Sequence, residues 1–234
     1  MDKMEYKISD INILFEDQYL LVVVKPYGIL SQESKKEIDL PTLLSNYRIQ
    51  KGESSYIGTP YRLDRTTQGI MVYAKEQKVA AALSKMVMDK SLNKNYYAVV
   101  SPVPKAREDT LKDLLFYDRI KNKSYVVKRQ RKGVKKAELF YETIDVKTLD
   151  DIEISLIRVK LFTGRTHQIR CQMSNIGCPI VGDRRYGSVI NTKNILLCAG
   201  EVSFTHPVTK EKLSFEYKAT NDYFKYFLNK KSHP

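Results

Sequence analysis

Little in this 234-residue chain is suited to a covalent or metal-based scaffold. It has three cysteines, Cys171, Cys178 and Cys198, an odd count with no C-x-x-C pair. That pattern excludes a disulfide framework and a structural zinc site from the expectations. The three histidines, His167, His206 and His233, lie far apart and lack ligand spacing, so no structural metal is expected. The opening Met1-Asp2-Lys3-Met4-Glu5 has no apolar signal-peptide core, and no apolar run approaches membrane-spanning length. The expected compartment is the cytoplasm, with no membrane partner, and the default oligomeric state is a monomer.

Acidic residues are also in deficit. Against 27 Asp plus Glu stand 40 Lys plus Arg, a formal net charge of +13. Such an excess fits an anionic partner, because a phosphate backbone rewards clustered cations through counterion release. It fits a basic protein with solvated lysines equally well. Apolar residues at 42% and charged residues at 29% are those of a globular chain with a proper core, not a disordered one.

The pattern of residues predicts a mixed α/β domain. Residues 11–15 and 20–24 read as short strands around the polar Glu16-Asp17-Gln18 turn, the second stopping at Lys25-Pro26-Tyr27-Gly28. A short helix is expected over 41–47 and a buried strand over 69–74. Val79, Ala82, Leu83, Met86 and Val87 recur at helical spacing, which predicts an amphipathic helix over 76–89. Residues 96–100 are strand-like. Residues 105–136 are the most basic part of the chain, with Lys121, Lys123, Lys128, Arg129, Arg131, Lys132, Lys135 and Lys136 close together and Tyr117 and Tyr125 among them. Such a segment suits either an RNA backbone with a stacked base or a solvated hairpin. Ile152, Ile154 and Leu156 alternate, then Ile157, Val159 and Leu161 alternate in the opposite phase, which predicts a bulge or bend. Ile169, Met173 and Ile176 mark a short helix closed by Gly177. Strands are expected at 194–199 and 213–219, and a terminal helix near 222–228.

Two segments are unusually dense in polar groups. They are Tyr61-Arg62-Leu63-Asp64-Arg65-Thr66-Thr67-Gln68-Gly69 and Thr163-Gly164-Arg165-Thr166-His167-Gln168-Ile169-Arg170. An aspartate that leads into a buried strand needs a charge partner if it is to stay ionised. On local chemistry alone, Asp64 reads as a structural ion pair.

The first segment resembles the H-R-L-D-R-x-T-x-G signature of the RluA-like pseudouridine synthases, and the second resembles their T-G-R-T-H-Q-I-R block. Ile176-Gly177-Cys178-Pro179-Ile180-Val181-Gly182-Asp183 with Tyr186-Gly187 is similar to the continuation I-G-H-P-I-x-G-D-x-x-Y-G. Lys94-Asn95-Tyr96-Tyr97-Ala98-Val99-Val100 resembles K-x-Y-x-A-x-V, the 21–28 segment resembles L-x-V-x-N-K-P-x-G, and Thr205-His206-Pro207 resembles the closing H-P. The blocks run in family order from about residue 13 to about residue 219.

The resemblance implies a largely antiparallel mixed sheet flanked by helices and loops. It implies one catalytic domain over residues 1–234, with its core at about 11–219 and no S4 domain ahead of it. It implies RNA as partner, a ribosomal or transfer RNA stem-loop, and no cofactor. Asp64 is the implied catalytic aspartate, attacking a flipped-out uridine or its ribose. Tyr96 packs against the target base, with a role in removing the C5 proton left open. Arg170 pairs with Asp64, and Arg62 helps expel the base and fills its place. Arg65, Arg165, Lys25, Lys128 and Arg129 are implied RNA contacts, Arg165 and Lys25 as backbone or supporting ones. Ile169 and Leu197 are pocket candidates, Leu197 reading equally well as a core leucine.

The chain departs from the family pattern at Tyr61 and Val24, where His and Asn are usual, and at Gln172 and Cys178, where two histidines are common. None of these touches Asp64, Tyr96 or Arg170. Two other classes compete with this reading. A non-catalytic RNA-binding protein on the same fold would not depend on Asp64. A glycoside hydrolase generally needs two carboxylates, and the 62–69 block offers one acid among arginines.

Overall fold

The structure, a computed structural model, describes residues 6–220 and 222–227. The charged N-terminal residues 1–5 and His233 therefore lie outside the described residues. Those described form ten strands, three α-helices and three short 3-10 helices, and they group into two compact units.

The first unit comprises the described residues 6–94 and 199–217. Its strands are β1 (Asn12–Glu16), β2 (Leu20–Lys25) and β3 (Gln68–Ala74), joined by β9 (Leu197–Thr205) from Ala199 onward and by β10 (Lys212–Glu216). β2 pairs antiparallel with β1 on one side and β3 on the other, and β9 lies next to β3 and pairs antiparallel with β10. β2 is buried at every residue, which is why its sequence is a continuous Leu-Leu-Val-Val-Val run rather than an alternating one. Helix α1 (Leu40–Gln50) is longer than the predicted 41–47. It starts where Asp39 accepts the Thr42 N–H at 2.8 Å and continues through Pro41, which needs no N–H bond in the first turn. Helix α2 (Gln77–Met88) buries Val79 and Leu83, matching the predicted periodicity.

The second unit comprises the described residues 95–198, 218–220 and 222–227. Its strands are β4 (Asn93–Val100), β5 (Glu108–Asp118), β6 (Lys123–Val127), β7 (Val134–Leu149) and β8 (Ile152–Leu161), in the order β4-β8-β7-β5-β6 with antiparallel neighbours. The basic 105–136 segment is thus part of a β-meander. Helix α3 (Gln168–Asn175) lies against β5 and β6. Its Cys171 joins Leu115, Ala137 and Tyr186 in a buried cluster, with Val126 packed on it. Gly177 follows in the left-handed region at φ 81°, a conformation natural to glycine at a helix end.

The phase change read in β8 marks a real irregularity, but the extra residue sits on the partner strand. The β7–β8 register shifts between Thr143 and Asp145, opposite Ile157 and Leu156. The strand expected over 194–199 is shifted onward to Leu197–Thr205, and that over 213–219 ends earlier, at Glu216. The terminal helix is a 3-10 segment, Asp222–Phe227; Leu228, its expected end, lies outside the described residues. Among the described residues no helix is long and apolar enough to cross a membrane.

Candidate active site

Asp64 occupies the loop between α1 and β3, half-buried between the buried Leu63 and the exposed Arg65. Several hydrogen bonds hold this loop in shape. Ser31 Oγ donates to the Leu63 carbonyl at 2.8 Å and accepts the Leu63 N–H at 3.1 Å, so both backbone groups of Leu63 are fixed. Tyr73 Oη donates to the Ser31 carbonyl at 3.0 Å. The Thr67 N–H closes a turn on the Asp64 carbonyl at 3.0 Å, and the Arg65 carbonyl accepts the Gly28 N–H at 2.9 Å. Arg65 also donates through Nε to the Gly28 carbonyl at 2.8 Å and pairs with Glu37.

Lys25, expected as a backbone or supporting RNA contact, is fully buried, which rules out direct contact with a backbone and keeps only the supporting role. Its ammonium lies 2.9 Å from the Pro26 and Ile29 carbonyls and 3.2 Å from that of Arg65. All three N–H donors are directed at backbone oxygens, so Lys25 ties β2 to the turn after Asp64 and presents nothing to an RNA. Burial pulls its pKa down, opposed by the Asp64 carboxylate and assisted by the Arg65 charge, to about 7.

Tyr61, standing where the family usually has His, anchors the start of the loop. Its hydroxyl donates to the Ile70 carbonyl at 3.4 Å and accepts the Val72 N–H at 3.2 Å. The Lys94 ammonium sits 4.0 Å from the ring centroid, a cation–π contact, and burial lowers the Lys94 pKa to about 8. Gly69 must be glycine. Its φ is 130°, and a Cβ there would fall 2.3 Å from the Ala199 carbonyl oxygen.

Arg62 is exposed in the same loop, next to Leu63, and the candidates that remain lie in the second unit or at its boundary. Tyr96 is buried on β4 opposite Val159. Ile169 and Leu197 are both buried. Arg170 is buried on α3 and makes a bidentate pair with Asp183, Nε to Oδ2 at 2.6 Å and Nη2 to Oδ1 at 2.9 Å. Its guanidinium carbon also stands 4.9 Å from the centre of the Tyr186 ring. Two parallel hydrogen bonds and a ring face fix the plane of the guanidinium.

Tyr186 is the hub of this unit. Its hydroxyl accepts the Ser124 N–H at 2.8 Å and lies 3.1 Å from His167 Nδ1, while Ser124 Oγ donates to the Thr166 carbonyl at 2.6 Å. These bonds root β6 on the Thr163–Arg170 block. Gln168 adds two more ties, accepting the Arg165 N–H at 3.0 Å and donating to the Glu138 carbonyl at 3.1 Å. His167 is thereby buried, with its ring held against Tyr186. Asp183, Tyr186 and Ser124 were not singled out by the sequence reading. Asp183 and Tyr186 sit inside a quoted block, so their positions were marked while their roles were not.

Lys128 and Arg129 are exposed at the end of β6, with Arg131, Lys132, Lys135 and Lys136 following, also exposed. None of the six forms an ion pair with a described residue. Arg165 is half-buried and donates to the Lys136 carbonyl at 3.0 Å. A groove of about 350 Å³ at the β7 bulge, lined by residues such as Val103, Arg107 and Ile144, contains none of the candidate residues. Among the described residues no group of three or more His, Cys, Asp or Glu is placed to hold a metal ion.

The sequence profile described as RNA pseudouridylate synthase matches residues 19–175. The chain is 33% identical to the ribosomal large subunit pseudouridine synthase C of Buchnera aphidicola subsp. Baizongia pistaciae, over 86% of this chain and 64% of that protein. It is 31% identical to the protein of the same name from Buchnera aphidicola subsp. Schizaphis graminum, over 96% of this chain and 72% of that one. The chain thus spans less than two thirds of the first relative. Its fold matches that of human RNA pseudouridylate synthase domain containing 1, with a TM-score of 0.75 at 18% identity over 93% of this chain and 86% of that one. A profile match over more than half of the sequence, joined to a relative above 30% identity that is covered over most of its length, means that this chain belongs to the RNA pseudouridylate synthase family.

Proposed function

We propose that the protein is an RNA pseudouridine synthase, an isomerase that converts specific uridines to pseudouridine with Asp64 as catalytic residue and without a cofactor. The reaction cleaves the uracil N1–C1′ bond, turns the base within the pocket and joins C5 to C1′. The uridine is flipped out of its stem-loop to be reached, with Arg62 taking the vacated space, Tyr96 packing on the base and Arg170 pairing with Asp64. Ile169 and Leu197 line the pocket. Arg65, Arg165, Lys128 and Arg129 hold the backbone.

The observation that carries this reading is the intact Arg62-Leu63-Asp64-Arg65-Thr66-Thr67-Gln68-Gly69 block within the matched residues 19–175. Ribosomal RNA is the favoured substrate because both Buchnera relatives are named for the large ribosomal subunit; transfer RNA is the alternative. The protein acts as a monomer in the cytoplasm, and its 1–234 span works as one catalytic domain.

Asp64→Asn and Asp64→Ala are expected to abolish tritium release from RNA labelled at uridine C5 while RNA binding persists. Full activity in either variant sinks the assignment. Carbodiimide mapping of pseudouridines in RNA from a deletion strain identifies the target, and a missing site in transfer RNA instead of ribosomal RNA would reverse the substrate preference.

A further inference from the structure

The turn between β5 and β6 carries a feature that the proposed chemistry does not use. Ile120, at its tip, is 98% exposed, the most exposed large apolar side chain among the described residues. Single exposed apolar residues are common and need no function, so its setting has to decide. Val189, 95% exposed, lies between Ser188 and Ile190. Met88 closes a helix beside Asp89. Ile120 alone of these three stands between two exposed cations, Arg119 and Lys121, and neither forms an ion pair with a described residue.

The turn is also held in one shape. Asp118 Oδ1 accepts the Ile120 N–H at 2.9 Å and the Lys121 N–H at 3.0 Å. Tyr117 Oη donates to Asn122 Oδ1 at 2.7 Å, and Arg185 donates to the Asn122 carbonyl at 2.6 Å. Asn122 itself sits in the left-handed region at φ 46°, which asparagine tolerates better than most residues. Two residues on, Ser124 is fastened to Tyr186 and Thr166, so the tip is rigidly connected to the Thr163–Arg170 block.

The geometry points to Ile120 as an apolar wedge that inserts between stacked bases of a structured RNA, with Arg119 and Lys121 on the flanking phosphates. An apolar side chain on a fixed basic tip matches the chemistry of a base stack, whose faces are apolar and whose flanking backbone carries phosphates. A flexible tip would lose ordering entropy on insertion; this one is already ordered. The wedge gives the enzyme a way to tell a folded stem from a single strand at a position remote in sequence from Asp64. It rests on the RNA-modifying reading above.

The test compares binding of the full chain to an RNA hairpin with a uridine-containing loop and to oligouridylate, across a salt series. Ile120→Ser is expected to weaken hairpin binding about tenfold, to change oligouridylate binding by less than about twofold, and to leave the salt slope unaltered. Ile120→Trp should bind the hairpin at least as tightly as the parent. Arg119→Ala and Lys121→Ala should each lower the salt slope by about one. Hairpin affinity within about twofold of the parent in Ile120→Ser overturns the wedge alone. A parent protein that binds neither RNA, or binds with a flat salt dependence, overturns the RNA reading and the wedge with it.

Discussion

Removing the Asp183 carboxylate isolates the clearest electrostatic arrangement in the second unit. Asp183 and Arg170 are 1% and 4% exposed, and two hydrogen bonds of 2.6 and 2.9 Å join them. Asp183 precedes a 3-10 helix, Arg184–Tyr186, yet its side chain caps nothing there. Its backbone is separately engaged, donating to the Ile180 carbonyl at 2.9 Å and accepting the Tyr186 and Ser188 N–H groups at 3.0 and 3.1 Å. Asp183→Ala therefore spares the turn and removes only the anion. Losing the two charge-assisted hydrogen bonds of this buried pair costs about 3–5 kcal/mol. Asp183→Asn keeps an acceptor for one N–H and should cost about 1.5–3 kcal/mol, the range for a hydrogen bond to a charged group. The double variant Arg170→Met/Asp183→Leu removes both charges and should be less destabilised than the sum of its singles by at least about 2 kcal/mol. Urea unfolding followed by far-UV circular dichroism and tyrosine fluorescence reads this out, since the chain has 16 Tyr and no Trp. A loss under about 1 kcal/mol in Asp183→Ala, with an unchanged m-value, would refute the argument that the pair is an essential buried unit.

Three further outcomes follow from other parts of the molecule. Burial raises the Glu16 pKa, but hydrogen bonds from Lys51, Lys75 and Tyr47 outweigh it and bring it down to about 2. Its contribution is thus complete above the ordinary carboxylate range and lost as pH falls toward 2, so Glu16→Gln should flatten that part of a stability–pH curve measured by urea unfolding. Gly69→Ala drives a Cβ into Ala199 backbone atoms on β9 at a φ of 130° and should destabilise by about 3 kcal/mol or more; an unfolding curve like the parent's would contradict the close approach of β3 and β9. Lys128→Ala and Arg129→Ala should weaken RNA binding similarly for different sequences and reduce the salt slope by about one each, and an unchanged slope would take these cations off the RNA path.

The elements that sequence periodicity located are those whose burial is one-sided or complete. β2 is buried throughout and reads as an apolar run; α2 buries Val79 and Leu83 and reads as a helix. β5 and β7 were hidden within a charged segment for physical reasons. In β5 the fully buried residues are Leu111 and Leu115, four apart, a spacing shared by one face of a strand and one face of a helix. β7 alternates at Ala137, Leu139 and Tyr141, then its bulge at Thr143–Asp145 breaks the phase. The phase change in β8 signalled that fault, but a period of two does not say which strand carries the extra residue. Ordered motif blocks singled out Asp64, Tyr96 and Arg170, while Asp183, which pairs with Arg170, lies 13 residues further on, at a spacing that no local rule connects.

Lys25 shows what the blocks leave out. A lysine next to a Pro-Tyr-Gly turn in a basic chain reads as a surface contact, since an unpaired buried ammonium is costly. Three carbonyls around it change the balance. Pro26, Ile29 and Arg65 each present an oxygen to the ammonium within 3.2 Å, and a neutral amine, with two N–H groups, would leave one of them without its donor. The Asp64 carboxylate favours the charged form of Lys25 against the effect of burial, and Coulomb coupling is mutual, so a charged Lys25 favours an ionised Asp64 in return. The aspartate therefore has a cation within its own unit, attached to the very turn that carries it. Lys25 therefore fixes the turn through three backbone carbonyls and couples to the charge of the aspartate on that turn.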